Sequence, residues 1–230
     1  MKTDMQAVKD TIIILASKEP VVDKGVGLFV DHPILETIFA NTYSTNGMIN
    51  IAESPENFKK WHDDYVSFIN DQSSLSRLFF SVRKSSRLYL LFLIQDFLSQ
   101  KDLSKMLREV WMSAEFVINS GVPLSDLVNM FRKCDLSILM SEQELETFIS
   151  LSNGVSIYRG VRNESYKLGL SWTLDKNRAD WFANRFDCYK NFVYKIPIEK
   201  DAVLAYFSSR GEDEVVVDIN AINISDIEKI

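Results

Sequence analysis

Ile157-Tyr-Arg-Gly-Val-Arg-Asn-Glu-Ser-Tyr-Lys-Leu-Gly-Leu-Ser-Trp-Thr-Leu-Asp-Lys-Asn-Arg-Ala-Asp-Trp-Phe-Ala-Asn-Arg-Phe186 is the stretch whose pattern sets the class of fold. Its first residues continue the alternation of Val155-Ser-Ile-Tyr-Arg159 and read as a strand. Leu170 to Thr173 reads as a second, short strand. Asp175 to Phe186 reads as a helix, with Ala179, Phe182, Ala183 and Phe186 on one face. Strands are expected again at Phe192–Ile198, Ala202–Phe207, Glu214–Asp218 and Ile222–Ile224.

Upstream the texture is helical. Ser54-Pro-Glu56 combines a capping side chain, a proline suited to the first helical position and an acid at the positive end. Phe58, Trp61, Tyr65 and Phe68 then follow at spacings of three and four. Further helices are expected between Ser73 and Phe97, over Asp102–Ile118, over Leu124–Phe131, and after the capping box Ser141-Glu-Gln-Glu144. Thr11–Ala16 fits helix or strand equally. Gly25–Val30 and Met48–Ile51 read as strands. The fold class is therefore α+β: a mostly helical N-terminal region, residues 1–100, and a C-terminal domain, residues 101–230, in which helices lead into strands.

Composition narrows the function. A net charge of −6 disfavours binding a polyanion by bulk charge, so nucleic acid is an unlikely partner. Arg77, Arg83, Lys84 and Arg87 read as a solvated helix face. Cys134 and Cys188 have no CxxC spacing, which fits a reduced, cytoplasmic setting. No secretory leader is read at the N-terminus. The apolar run Leu88–Ile94 is far too short to span a bilayer and reads as buried helix. His32 and His62 stand apart from any cysteine pair, so no metal site is expected. No Walker or Rossmann glycine pattern is present.

The chemistry-bearing residues lie on the C-terminal strands. Side chains alternate along a strand, so Ser171 and Thr173 share a face while Trp172 points away. By the same rule Glu212 and Glu214 fall on one side, opposite Asp213, Val215 and Val217. Two adjacent carboxylates repel, which a packed core does not call for. Arg159 ends its strand beside Gly160, where a ligand has room to approach the backbone.

An Arg, a Ser-x-Thr and a Glu-x-Glu on successive strands resemble the Arg–Ser–Glu class of mono-ADP-ribosyltransferases. Gly169–Asp175, Trp181–Phe186 and Ser209–Asp218 are similar to small phage-encoded members, some of them anti-CRISPR proteins. The resemblance covers about residues 103–230. It implies a β-sandwich core and NAD as co-substrate, cleaved between nicotinamide and ribose. It implies a host protein as target, in the host cytosol. Glu214 would stabilise positive charge on the ribose, and Glu212 would orient or deprotonate the acceptor. Arg159 would clamp the diphosphate, and Gly160 would offer backbone bonds to the nicotinamide amide. Ser171 and Thr173 would hold the pocket strand. Trp172, Trp181 or Tyr158 would stack on a ring, and Arg178 with Arg185 would add a phosphate contact.

Competing structural roles are expected of the same residues. The acidic triplet can be a turn before an edge strand. Arg159 can pair with Glu164 or Asp187, the aromatic residues can be core, and Arg178 and Arg185 a solvated face. Two other functions use the same residues: an inactive binding module that blocks a host complex, and an NAD glycohydrolase. The strand-rich segment is short for this fold, so helices before residue 154 are expected to complete the cleft.

Overall fold

The structure, a computed structural model, describes residues 1–22, 25, 27–114, 117–185 and 191–230. The chain divides into two compact units, Met1–Gly121 and Val122–Ile230. The sequence reading placed a boundary near residue 100, on the expectation that the helices just before the strands pack on them. The division falls later because the helix beginning at Gln100 packs with the one before it.

In the first unit α1 spans Met5–Ala16, with Asp4 accepting the amides of Gln6 and Ala7 as its cap. That cap, with burial of Val8, Ile12, Leu15 and Ala16 on one stripe, resolves Thr11–Ala16 as helix. Two small antiparallel pairs follow: β1 (Val21–Val22) with β2 (Val30–Asp31), and β3 (Phe39–Thr42) with β4 (Gly47–Asn50). The strand expected from Gly25 is thus shorter, and Val26 lies outside the described residues. Past β2, His32 Nδ1 accepts the amides of Ile34 and Leu35 and turns the chain. The β3–β4 turn uses Asn46 at φ 51°, a conformation Asn tolerates.

Then come α2 (Pro55–Asp71), capped by Ser54, α3 (Leu75–Phe80), α4 (Arg87–Ile94) and α5 (Gln100–Ser113), capped by Ser99. Trp61, Tyr65 and Ile69 of α2 are fully buried, as are Leu90, Leu91 and Ile94 of α4. Each such side chain contributes about 1.5–3 kcal/mol by leaving water. The helix expected to reach Ile118 ends at Ser113, because Ala114 takes an extended conformation. Among the described residues no helix is long and apolar enough to cross a membrane.

The second unit opens with α6 (Leu124–Lys133), α7 (Leu136–Leu139) and α8 (Glu142–Ser150), the last closed by the capping box of Ser141 and Glu144. Strand β5 (Val155–Val161), β6 (Ser171–Thr173), helix α9 (Lys176–Asn184), β7 (Phe192–Ile198), β8 (Val203–Phe207), β9 (Glu214–Val217) and β10 (Glu228–Lys229) follow. The six strands form one antiparallel sheet in the order β10-β7-β5-β6-β9-β8. Helix α9 packs on β5 and β7, while α6 and α8 pack on β8. Every residue of β8 and β9 is buried.

The sequence suggested a sandwich; the described strands make a single sheet with a seam. β5 pairs with β7 over seven residues, but with β6 only through Tyr158 and Thr173. Ile222–Ile224 is not a strand. Asp218 caps a short turn over Ile219–Ala221 and Asn223 caps the next over Ile224–Asp226. Side-chain bonds to nearby amides there outcompete a ladder.

Candidate functional site

One row of residues crosses the whole sheet: Glu228, Lys195, Tyr158, Thr173, Glu214 and Phe207 are successive cross-strand partners. The seam lies in the middle of this row, and the residues singled out from sequence gather around it.

Beyond Tyr158 and Thr173, β5 and β6 part. The Leu170 carbonyl and the Leu174 amide bond toward β9, so by alternation the Ser171 carbonyl turns toward β5. There it accepts a hydrogen bond from Arg159 Nη1, while Arg159 Nε donates to the Tyr166 carbonyl at 3.0 Å. The guanidinium fills the place of the missing ladder. It lies against Gly169, where an added Cβ would stand 2.6 Å from Arg159 Nη2. Trp172 is buried, and its indole N–H donates to the Gly169 carbonyl at 2.7 Å, fixing that glycine. Burial pulls the Arg159 pKa down to about 10, with the Glu214 carboxylate opposing the shift. The group keeps its charge at neutral pH.

The segment between β8 and β9 is held at nearly every residue. Glu144 of α8 accepts the Ser208 amide at 3.0 Å. Gly211, at φ 63°, donates its amide to the Ser208 carbonyl, and its own carbonyl accepts from Arg178 Nη2 at 2.6 Å. Thr173 Oγ1 donates to the Glu212 carbonyl at 2.6 Å and accepts the Asp175 amide. Asp213 sits at φ 44°, in the left-handed region, and its side chain accepts from the Tyr206 hydroxyl at 2.6 Å. Burial, then that carboxylate, raises the Tyr206 pKa.

Glu212 and Glu214 do meet, although strand alternation is not what joins them. β9 begins only at Glu214, and the left-handed residue at Asp213 breaks the period. Both carboxylates instead converge on one nitrogen: Arg210 Nη2 is 2.8 Å from Glu212 Oε2 and 3.0 Å from Glu214 Oε2. The Glu214 side chain is only 5% exposed beneath this cation.

On α9, Trp181 is exposed, with the Arg178 and Arg185 guanidinium groups 5.6 and 5.4 Å from its ring. Phe182 packs edge-on against it. This gives the unit an exposed ring between two cations, one of which also holds the carboxylate-bearing segment. Phe186, Asp187 and Cys188, named from sequence, lie outside the described residues.

Four of the residues singled out from sequence have contacts within the fold that bear on the roles expected of them. Trp172 is buried, in line with the alternative that the aromatic residues form core. The space beside Gly160 is taken by α9: an added Cβ would stand 1.8 Å from the Ala179 carbonyl oxygen. Ser171 contributes through its carbonyl. Arg159 spends Nε and Nη1 on backbone carbonyls, and among the described residues it makes no ion pair with a carboxylate; Glu164 instead accepts from the Tyr194 hydroxyl at 3.3 Å. Thr173, through its hydroxyl, ties the loop before Glu214 to the start of α9. The sequence reading missed Arg210, Glu144 and Tyr206. Arg210 had a usable signal, a lone cation four residues before Glu214. Glu144 was legible as a helix cap but not as an anchor for Ser208.

In the first unit Arg83 donates to the Val30 carbonyl and Arg87 to those of Val82 and Phe80, so this part of the basic cluster closes turns. A cavity of about 360 Å³ lies nearby, with Leu88, Val110, Glu36, Arg83 and Lys84 among its lining residues. Among the described residues no group of His, Cys, Asp or Glu is placed to hold a metal ion.

Comparison of the chain with family models, with curated proteins and with solved structures found no match to any of them.

Proposed function

We propose that the second unit is an NAD-dependent mono-ADP-ribosyltransferase that modifies a protein target and releases nicotinamide. The observation that carries this reading is the pairing of Glu212 and Glu214 at one guanidinium nitrogen, beside a sheet seam filled by Arg159. Breaking the bond between nicotinamide and ribose develops positive charge on the ribose. A carboxylate with little access to water stabilises such charge strongly, and Glu214 has that environment. Glu212, more exposed at 22%, is the better placed to meet an acceptor from solution. Arg159 supplies a fixed positive potential that favours a diphosphate. Arg178, Trp181 and Arg185 offer an exposed surface for a second anionic group or a ring. The resemblance to phage-encoded enzymes makes a host protein the expected target, with the first unit recognising it.

The covering of Glu214 by Arg210 favours a second reading: a binding module that has kept the fold and acts by contact alone. Incubation with labelled NAD and lysate separates the two. Transfer of label to a macromolecule is expected, falling about 100-fold or more in Glu214→Gln. Equal labelling by that variant would remove Glu214 from the reaction. Release of nicotinamide without a labelled macromolecule would assign NAD hydrolysis. No turnover, with a stable complex formed in the lysate, would assign the binding module.

A further inference from the structure

The pairing of Arg210 with both carboxylates has a consequence for the transfer itself. We propose that Arg210 is a self-acceptor: with NAD present, the chain attaches ADP-ribose to its own Arg210. This rests on the reading of the second unit as an ADP-ribosyltransferase.

A guanidinium acceptor has two geometric requirements. One of its nitrogens must contact the carboxylate that takes its proton. The same nitrogen must lie beside the carboxylate that attends the ribose carbon. Arg210 Nη2 meets both, at 2.8 Å from Glu212 and 3.0 Å from Glu214. The backbone brings it there without slack. Ser208 is held by Glu144, Gly211 by Arg178, Glu212 by Thr173, and Asp213 by Tyr206. The Arg210 side chain itself is one-third exposed, so it can withdraw from the carboxylates and return on a rigid base.

The step balances. The bond from the ribose C1′ to the nicotinamide nitrogen breaks, and nicotinamide leaves with the electron pair as a neutral molecule. Glu212 accepts a proton from Nη2 as the C1′–Nη2 bond forms, and passes it to water. Arg210 remains a cation, now carrying the ribose and its diphosphate. The product then fills the place a target side chain needs, so self-modification limits the chain's own turnover.

The test is to incubate the purified full chain with NAD, in the absence and presence of a small alkyl guanidine. Nicotinamide release and the intact mass are followed, and the adduct is located by fragment mass spectrometry. The expected result is one ADP-ribose on Arg210, formed at a rate independent of protein concentration and suppressed by the added guanidine. Arg210→Lys, which keeps a cation beside the carboxylates, is expected to lose the adduct and to label the added guanidine several-fold faster. Labelling of the guanidine with no adduct on Arg210 would overturn the inference and leave the transferase standing. Absence of both nicotinamide release and label would overturn the two together.

Discussion

In the first unit the fully buried polar side chains among the described residues are His32 and Ser104; in the second they are Glu144, Thr173, Glu214 and Asp218. The two neutral groups serve local backbone. His32 receives two amides of its own turn, and Ser104 donates to the Gln100 carbonyl one helical turn back. The second group is different in kind and in place. Three of the four are carboxylates, and all four attach to β9 or to the segment leading into it. Burying a carboxylate is unfavourable unless it is paired and hydrogen-bonded. The first unit meets that penalty at the buried Glu109 Oε2, on a side chain that is otherwise part-exposed, while the second accepts it repeatedly around one loop. A fold concentrates such groups where their chemistry is used, which is why the proposed activity is placed in the second unit.

The strongest way to break this contrast is Gly160→Ala. Its methyl group collides with the α9 backbone rather than with a side chain that can swing aside. The second unit is expected to lose about 3 kcal/mol. Hydrogen exchange should show protection falling within residues 122–230, with 1–121 retaining theirs. A mild, uniform loss would mean that α9 shifts freely and that Gly160 is not needed for its approach.

Thr173→Val comes next. It keeps the shape but strips the Glu212 carbonyl and the Asp175 amide of their partner. A loss of about 2 kcal/mol is expected by urea unfolding, with Thr173→Ser restoring most of it. If serine fails to rescue, packing of the methyl group and not the hydrogen bond anchors the loop.

Asp218 sharpens the contrast through pH. Burial opposes its charge, but the hydrogen bond from Arg132 at 2.6 Å and the Asn220 amide outweigh that and hold its pKa below the ordinary value. The folded state therefore binds its proton less readily than the unfolded chain. The stabilisation is complete above the unfolded value near 4 and is lost as pH falls through the lower folded one. It should amount to about 1 kcal/mol, since Arg132 is half-exposed. Unfolding midpoints of wild type and Asp218→Asn measured from pH 5 to pH 3 should converge.

The smallest effect is expected in the first unit, at His32. Burial lowers its pKa below 6.5. The carbonyls of Ala16 and Lys18 oppose this, although neither makes a well-formed bond with Nε2. Here the unfolded chain takes up a proton that the folded one refuses. Stability is highest above about pH 6.5 and declines as pH falls below it. His32→Gln should flatten that slope between pH 7.5 and 5.5. The two acid sensitivities then lie in different pH windows and report on different units.

Much of the secondary structure was legible because its signals are local. Ser54-Pro-Glu56, Ser141 with Glu144, and Asn46-Gly47 each act within a few residues, and each opens or turns the element expected of it. Leu88–Ile94 reads as buried helix from its own composition; it is helix, with Leu88, Leu90, Leu91 and Ile94 buried and Leu93 exposed. Errors arose where a side chain reached outside its own segment. Ile222–Ile224 has strand-forming residues, yet Asp218 and Asn223 bend the chain around it. The residues that gather at the seam were singled out from sequence, but not their geometry. Glu212 and Glu214 were paired correctly for a reason that does not hold, since a left-handed Asp213 and the Arg210 cation join them. Gly160 was rightly marked as a close approach, but the approaching group is a helix.

By itself the order of residues determined which segments coil and which extend, because periodicity and capping act over a turn or two. It also determined that polar groups would cluster toward the C-terminus, because they interrupt runs otherwise apolar. Only the tertiary structure decided that β5 and β6 part after one pair, that a guanidinium fills the gap, and that two acids share one nitrogen. Those outcomes depend on the path of the chain between distant segments, where a fraction of an ångström separates a hydrogen bond from a clash.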